Sequence, residues 1–197
     1  MVRFLQFFIF LWFGILPLFA QNIDILNNGS DVSIAKMDVL NTNKRECNLS
    51  LMPNGNVLYF MSTRAPYGSA GLGDGDIYRS NREDGQWKAP KYLNQINTRS
   101  GEDEPCVSYD GEKIYFQSWR FDWESTDGPY YEANLVDGEL INIKGLGHGI
   151  NQFFRKQYRL NMRYATDGMA ISPDGKLFIV ACGADYNGNM DLYYSIK

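Results

Sequence analysis

Three stretches of this chain align with one another without a gap, and each turns on a polar residue followed by glycine. They are residues 51–62 (LMPNGNVLYFMS), 107–118 (VSYDGEKIYFQS) and 171–182 (ISPDGKLFIVAC). An apolar lead-in reaches Asn54-Gly55, Asp110-Gly111 or Asp174-Gly175, pairs that tolerate the positive φ angles of a two-residue hairpin turn. The returning segments, 57–60, 113–116 and 177–180, are rich in β-branched and aromatic residues. Their near-continuous apolar character predicts strands buried on both faces.

The second half of each unit repeats as well. Asp76-Ile77-Tyr78-Arg79-Ser80 matches Asp191-Leu192-Tyr193-Tyr194-Ser195, and Tyr131-Glu132-Ala133 aligns with Tyr78-Arg79-Ser80. Asp84-Gly85 and Asp137-Gly138 follow that tyrosine at the same distance, and Ile96-Asn97 and Ile150-Asn151 come after. Each unit therefore predicts four short antiparallel strands, the content of one propeller blade. The turn glycines Gly55, Gly111 and Gly175 lie 56 and 64 residues apart, and the excess falls in loops such as 66–75 and 121–129. Insertions at fixed points of a repeat map to one face of the array. The expected fold is all-β, about three β-propeller blades in an incomplete or open propeller, over roughly 45–100, 101–151 and 165–197. Three blades are too few to close a ring, and the third has no counterpart of Gly85-Gln86-Trp87. The chain reads first as a piece of a longer propeller. The second reading is half of a dimer, in which the outer-strand-like stretch 32–40 completes the third unit's sheet.

The first twenty residues set the expected compartment. A short basic start ending in Arg3 leads into an apolar run, 4–19, broken by Pro17 and followed by Ala20. That three-part layout is a secretory signal, so residues 1–20 are expected to be removed and 21–44 to form an N-terminal segment. Without Arg3 the mature chain has 18 bases against 23 acids. An acidic surface argues against nucleic acid, whose phosphates reward the opposite sign. No second apolar run reaches spanning length, so no stable membrane span is expected after cleavage. Cys47, Cys106 and Cys182 are odd in number, widely spaced and without a CxxC pair. They read as free thiols in strands, although an oxidising compartment would allow one pair to bridge.

At this point the residues resemble a known family. Ser172-Pro173-Asp174-Gly175-Lys176-Leu177-Phe178 with Asp191-Leu192-Tyr193, and Glu104-Pro105 with 110–118, are similar to the TolB-like, Pro-Asp-Gly type of WD-like propeller repeat. Ser62-Thr63-Arg64 belongs to the same pattern. The resemblance spans residues 45–197 and implies a periplasmic, envelope-associated or secreted propeller that serves as a protein-interaction platform. It departs from the pattern at Asn54, at Tyr109, and at the missing arginine after Cys182.

Candidate chemistry is sparse. His148 is the only histidine, which rules out a multi-histidine metal site, and no Gly-x-Ser-x-Gly elbow is present. Asp103, Glu104, Asp122, Glu124 and Asp127 are the nearest thing to an acidic pair for glycoside hydrolysis. Asp110 and Asp174 sit inside turns, where Asp serves the backbone. Asp185, Asn187, Asn189 and Asp191 alternate as calcium ligands do, but Met190 stands where an EF-hand loop needs glycine. Calcium is thus the one cofactor for which the sequence offers ligands, and no other is expected. The stretch 153–164 is the basic, aromatic segment of an acidic chain. Its Arg155, Arg159 and Arg163 would share a face if it were helical. Together with Tyr158, Trp119 and Trp123 they are the expected binding residues. Trp119, Trp123, Tyr130 and Tyr131 could stack on sugars or peptides, but propeller aromatics more often fill the wedge between neighbouring blades.

These features predict a non-catalytic exported propeller module that binds a protein of the cell envelope, with glycan or peptidoglycan as a further ligand class. The alternative is a propeller-type hydrolase acting on carbohydrate or peptide, which would need carboxylates converging in one pocket.

Overall fold

A computed structural model describes residues 35–64, 75–184 and 189–196, the fold belonging to the unit 37–197. Among the described residues twelve strands form three repeating sheets, with one helix between the second and the third. Blade 1 holds β1 (Glu46–Leu51), β2 (Val57–Ser62), β3 (Asp76–Glu83) and an outer strand in two pieces, β4 (Gln86–Trp87) and β5 (Lys91–Tyr92), both paired with β3. Blade 2 is β6 (Glu102–Val107), β7 (Lys113–Ser118), β8 (Tyr130–Val136) and β9 (Glu139–Gly145). After α1 (His148–Leu160), blade 3 is β10 (Ala165–Ile171), β11 (Leu177–Gly183) and β12 (Met190–Ile196). All pairs are antiparallel. The first strands lie innermost, β6 against β1 on one side and β10 on the other. Antiparallel meanders set side by side on their first strands are propeller blades. The described part of 32–40, residues 35–40, is coil and turn.

The repeated turns differ from their expected form for a local reason. The backbone N–H groups of Met52, Ser108 and Ser172 donate to the carbonyls of Val57, Lys113 and Leu177 at 2.8–2.9 Å, closing four-residue loops. Within them only the glycine has positive φ, 72°, 74° and 67°. The Asn or Asp before it instead accepts the N–H two residues on, at 2.9, 3.0 and 3.1 Å, the self-bonding habit of these side chains. Two-residue turns occur two strands later, where Asp84-Gly85 and Asp137-Gly138 both have positive φ.

The second strands explain their apolar sequence. In β2 and β7 the last five residues are all buried, whereas β11 alternates between buried and half-buried. Tyr59 and Ile77 of blade 1 pack on Ile114, Phe116, Tyr131 and Ala133 of blade 2. Tyr115 and Tyr130 of blade 2 pack in turn with Phe178 and Val180 of blade 3. Each such side chain contributes about 1.5–3 kcal/mol on burial.

Blades 1 and 2 also share a polar lock. Glu46 accepts from Thr42 Oγ1 at 2.6 Å and Ser62 Oγ at 3.0 Å, and pairs with Arg64 at 3.1 Å. Fifty-six residues on, Glu102 accepts from Thr98 Oγ1 and Ser118 Oγ, both at 2.7 Å, while Arg120 Nε bonds Ser118 Oγ at 3.0 Å. Burial raises the Glu46 carboxyl, but its hydroxyl donors and Arg64 outweigh that and hold it below the usual range. Glu102 is fully buried, and there burial wins and pushes it up. In blade 3 the corresponding positions are Thr166, Cys182 and Ala184, all three changed together. A buried carboxylate without its partners is costly, so the set is kept or lost whole. Arg120 also stacks 4.3 Å over Tyr131. Arg120→Ala should therefore cost about 3 kcal/mol of stability, measured by chemical denaturation, whereas the exposed Arg159→Ala should cost under about 1 kcal/mol.

Cys47, Cys106 and Cys182 are free thiols in β1, β6 and β11, the last fully buried.

Candidate interaction surface

The basic aromatic stretch is a helix for most of its length. Ile150, Phe154 and Tyr158, four residues apart, make one apolar stripe, and all three join the core between blades 2 and 3. Entry is set by Gly147, whose φ of 101° suits glycine alone. At the far end Asn161 is extended, and its N–H returns to Gln157 O. From Asn151 to Thr166 is fifteen positions, against five from the equivalent Asn97 to Glu102, so α1 is an insertion in the repeat. Asn151, buried, keeps its place in the repeat by accepting from Tyr130 N–H at 3.0 Å and donating to Tyr130 O at 2.8 Å.

The helix rests on the loop 119–129. Phe154, fully buried, touches Trp119, Trp123, Tyr130, Tyr158 and Tyr164 at centroid distances of 5.4–6.3 Å. Arg155 donates to Glu124 O at 2.7 Å and pairs with Asp127 at 3.0 Å. Arg159 pairs with Glu124 at 3.0 Å.

The expected binding residues take up different places in this geometry. Trp123 is buried, and Trp119 and Tyr158 are half-buried in the same aromatic cluster. Their rings hold the helix down and are not offered for stacking. Arg155 faces the loop with its side chain 16% exposed, so it is an anchor. Arg163 lies beyond the helix end, and the shared helical face is reduced to Arg155 and Arg159. Arg159 and Arg163 are exposed. Sequence reasoning missed three exposed apolar side chains: Leu160 at 77% and Met162 at 76%, neighbours in sequence of Arg159 and Arg163, and Phe121, fully exposed on the loop beneath the helix. Large apolar side chains at a loop tip and a helix end are the available signal, since burial at neither place was dictated by the repeat.

Solved structures resemble the chain at low identity. A protein assigned as TolB from Agrobacterium tumefaciens aligns over 79% of this chain and 46% of its own, at 16% identity and TM-score 0.49. TolB from Acinetobacter baumannii aligns over 76% of this chain and 29% of its own, at 16% identity and TM-score 0.45. A gluconolactonase from Xanthomonas campestris aligns over 80% and 40%, at 13% identity and TM-score 0.42. The chain spans less than half the length of each. No family model matches the sequence, and no curated protein matches it.

The acidic candidates fall in separate places. Asp122, Glu124 and Asp127 belong to the loop under α1. Asp103 and Glu104 lie on the innermost strand β6, at a bulge where Glu104 has φ 54°, repeated in β1 where Asn48 has φ 50°. Asn48 Nδ2 donates to both carboxylates at 2.7 Å. Burial raises Asp103 despite that bond. A cleft of about 540 Å³ between blades 2 and 3 is lined by Lys113, Lys144, Lys176, Tyr115, Phe178 and Glu132, among others. Burial raises Glu132, but Lys144 and Lys113, at 3.1 and 3.2 Å, overcome this and hold its carboxyl low. Tyr130 and Tyr131 are buried between blades. Asn189 and Asp191 are exposed, while Asp185 and Asn187 lie outside the described residues, as does the leader 1–20. His148 opens α1. Among the described residues no group of three metal-ligating side chains forms, and no helix is long and apolar enough to cross a membrane.

Proposed function

We propose that this chain is an exported, non-catalytic propeller module that binds a protein partner of the cell envelope through the end of α1 and the tip of the loop beneath it. The observation that carries the reading is the exposure of Leu160 and Met162, at the end of α1 and just past it, next in sequence to Arg159 and Arg163, with Phe121 exposed on the loop beneath the helix. Exposed apolar and cationic side chains together suit a protein surface that offers its own apolar anchor and carboxylates. The packing of Trp119 and Trp123 into the protein supports a protein partner over a glycan, which would want a free aromatic face. A hydrolase would bring carboxylates together in an open pocket. Here Glu132 is neutralised by two lysines in the cleft, and Asp103 and Glu104 share one amide.

The test is capture from the native envelope fraction, followed by affinity measurement for the captured protein. Changing Phe121, Leu160 and Met162 together to Ser should weaken binding by roughly a hundredfold or more. Arg159→Glu with Arg163→Glu should lower the association rate and its salt dependence. Both variants should keep the β-type circular dichroism. Arg155 is left intact because it anchors the helix. Unchanged affinity in the triple variant would sink the assignment.

A further inference from the structure

The two junctions between blades are bridged differently. Between blades 1 and 2, Arg79 donates to Gly138 O at 2.6 Å and Gln95 to Glu139 at 2.7 Å. One blade on, Glu132 and Gly149 stand at the places of Arg79 and Gln95. Glu132 is held within blade 2 by Lys113 and Lys144, at 3.2 and 3.1 Å. Gly149 has no side chain to send across. A β-carbon at this position would lie 3.4 Å from Ser195 Oγ of blade 3, so the glycine faces the opposite wall directly. The cleft of about 540 Å³ lies along this second junction, and blade 3 adds Lys176 to its lining.

The charge of the cleft opposes that of the chain. Acids outnumber bases in the sequence, 23 to 19, yet among the described residues the cleft is lined by three lysines and one glutamate. Three ammonium groups against one carboxylate leave two positive charges. At the equivalent places the first junction has Val57, Lys91 and Glu112, so two of the three lysines are particular to the second. The nearby acids Asp110 and Asp174 are engaged in their own turns, by the Ser108 and Ser172 hydroxyls at 2.5 and 2.6 Å. Lys176 meets Asp174 at 3.8 Å with both side chains exposed, a contact of little strength.

We infer that this cleft binds a small phosphate monoester, with the phosphate among Lys113, Lys144 and Lys176 and the organic body over the apolar floor made by Tyr115, Ile150, Ile171 and Phe178. The donors choose the anion. Ammonium groups are compact point charges that can surround a tetrahedral oxyanion, whereas a planar carboxylate is matched best by the fork of an arginine. No arginine lines the cleft among the described residues. A phosphate monoester carries a charge of about −1.5 to −2 at neutral pH, which answers the two positive charges. The volume is more than a bare phosphate fills and lies in the range of small-molecule sites, roughly 300–1,000 Å³. Phe121, Leu160 and Met162 do not line the cleft, so the inference stands apart from the proposed partner surface.

Isothermal titration calorimetry of the purified chain with phenyl phosphate, inorganic phosphate and phenol tests it. Phenyl phosphate should bind roughly tenfold tighter than inorganic phosphate, because its ring covers apolar surface, and phenol should not bind. Lys176→Ala should weaken phenyl phosphate roughly tenfold, the loss of one charge-assisted hydrogen bond. Gly149→Gln removes no charge but sends a side chain into the cleft, as Gln95 does across the first junction, and should weaken binding at least as much. Lys91→Ala, exposed at the first junction, should leave it unchanged. All three variants should keep the β-type circular dichroism. Failure of phenyl phosphate to bind, or binding that either Lys176→Ala or Gly149→Gln leaves unaltered, would overturn the inference.

Discussion

Phe154→Ala should release the inserted helix and cost about 3–5 kcal/mol, the range for removing a fully buried aromatic ring. The ring is the hub of the cluster between blades 2 and 3, in contact with two tryptophans and three tyrosines. Its removal leaves a cavity that Trp119 and Trp123 cannot fill, because both are fixed by the loop 119–129. The loss is a large fraction of a typical domain's net stability. Chemical denaturation reads the size of the effect. Amide exchange should show α1 losing protection first, with β2 and β7 protected until global unfolding. If α1 and the inner strands lose protection together, the helix is part of the blade core and not a dependent insertion. Partner binding through Leu160 and Met162 should fall in the same variant, since the proposed surface depends on where the helix sits.

Asp76→Asn should do the opposite and stabilise the protein at neutral pH by about 2–3 kcal/mol. Asp76 is 1% exposed, and among the described residues one carboxylate oxygen has no hydrogen-bond partner and the other meets Tyr92 at 3.4 Å. Burial first, and then the charge of Glu102, raise its pKa to about 6. An unfolded carboxyl titrates near 3.9. The native state therefore binds the proton more tightly than the unfolded state. Its stabilisation is complete below pH of about 4 and is lost as the pH rises through about 6. Above that the wild type carries an ionised, poorly solvated carboxylate, and Asn does not. The gain from Asp76→Asn should thus be near its maximum at pH 7 and close to zero at pH 4. Denaturant midpoints of both proteins at the two pH values check this. A gain of the same size at both would show that the carboxylate is not the cause.

Much of the fold was legible because turns are local. Asn54-Gly55, Asp110-Gly111 and Asp174-Gly175 need only their own φ angles and an adjacent side chain to bend the chain, so their repetition marked three hairpins. The near-continuous apolar runs in β2 and β7 announced burial on both faces for the same reason. The turn geometry itself was harder to read, since a four-residue loop and a two-residue turn share the same Asp-Gly letters and differ only in how far the ladder extends. The candidate surface was half legible. The segment 153–164 stood out as basic and aromatic, but its residues divided in space: Tyr158 and Arg155 turned inward on the loop, while Leu160, Met162 and Phe121 were left outside.

Sequence alone determined that this chain makes repeated antiparallel hairpins, because alternation, β-branching and turn residues act within a few positions of one another. It also marked where the repeat is interrupted, by counting the residues between Asn151 and Thr166. Only the tertiary structure decided which face of each blade is covered, since Tyr59, Tyr115 and Ile179 are equivalent letters and the first two are buried by the next blade. Whether an aromatic or an arginine serves the core or a partner depends on what lies across from it, and contacts between distant segments decide that. Trp123 met Phe154, Arg155 met Asp127, and Leu192 stayed exposed.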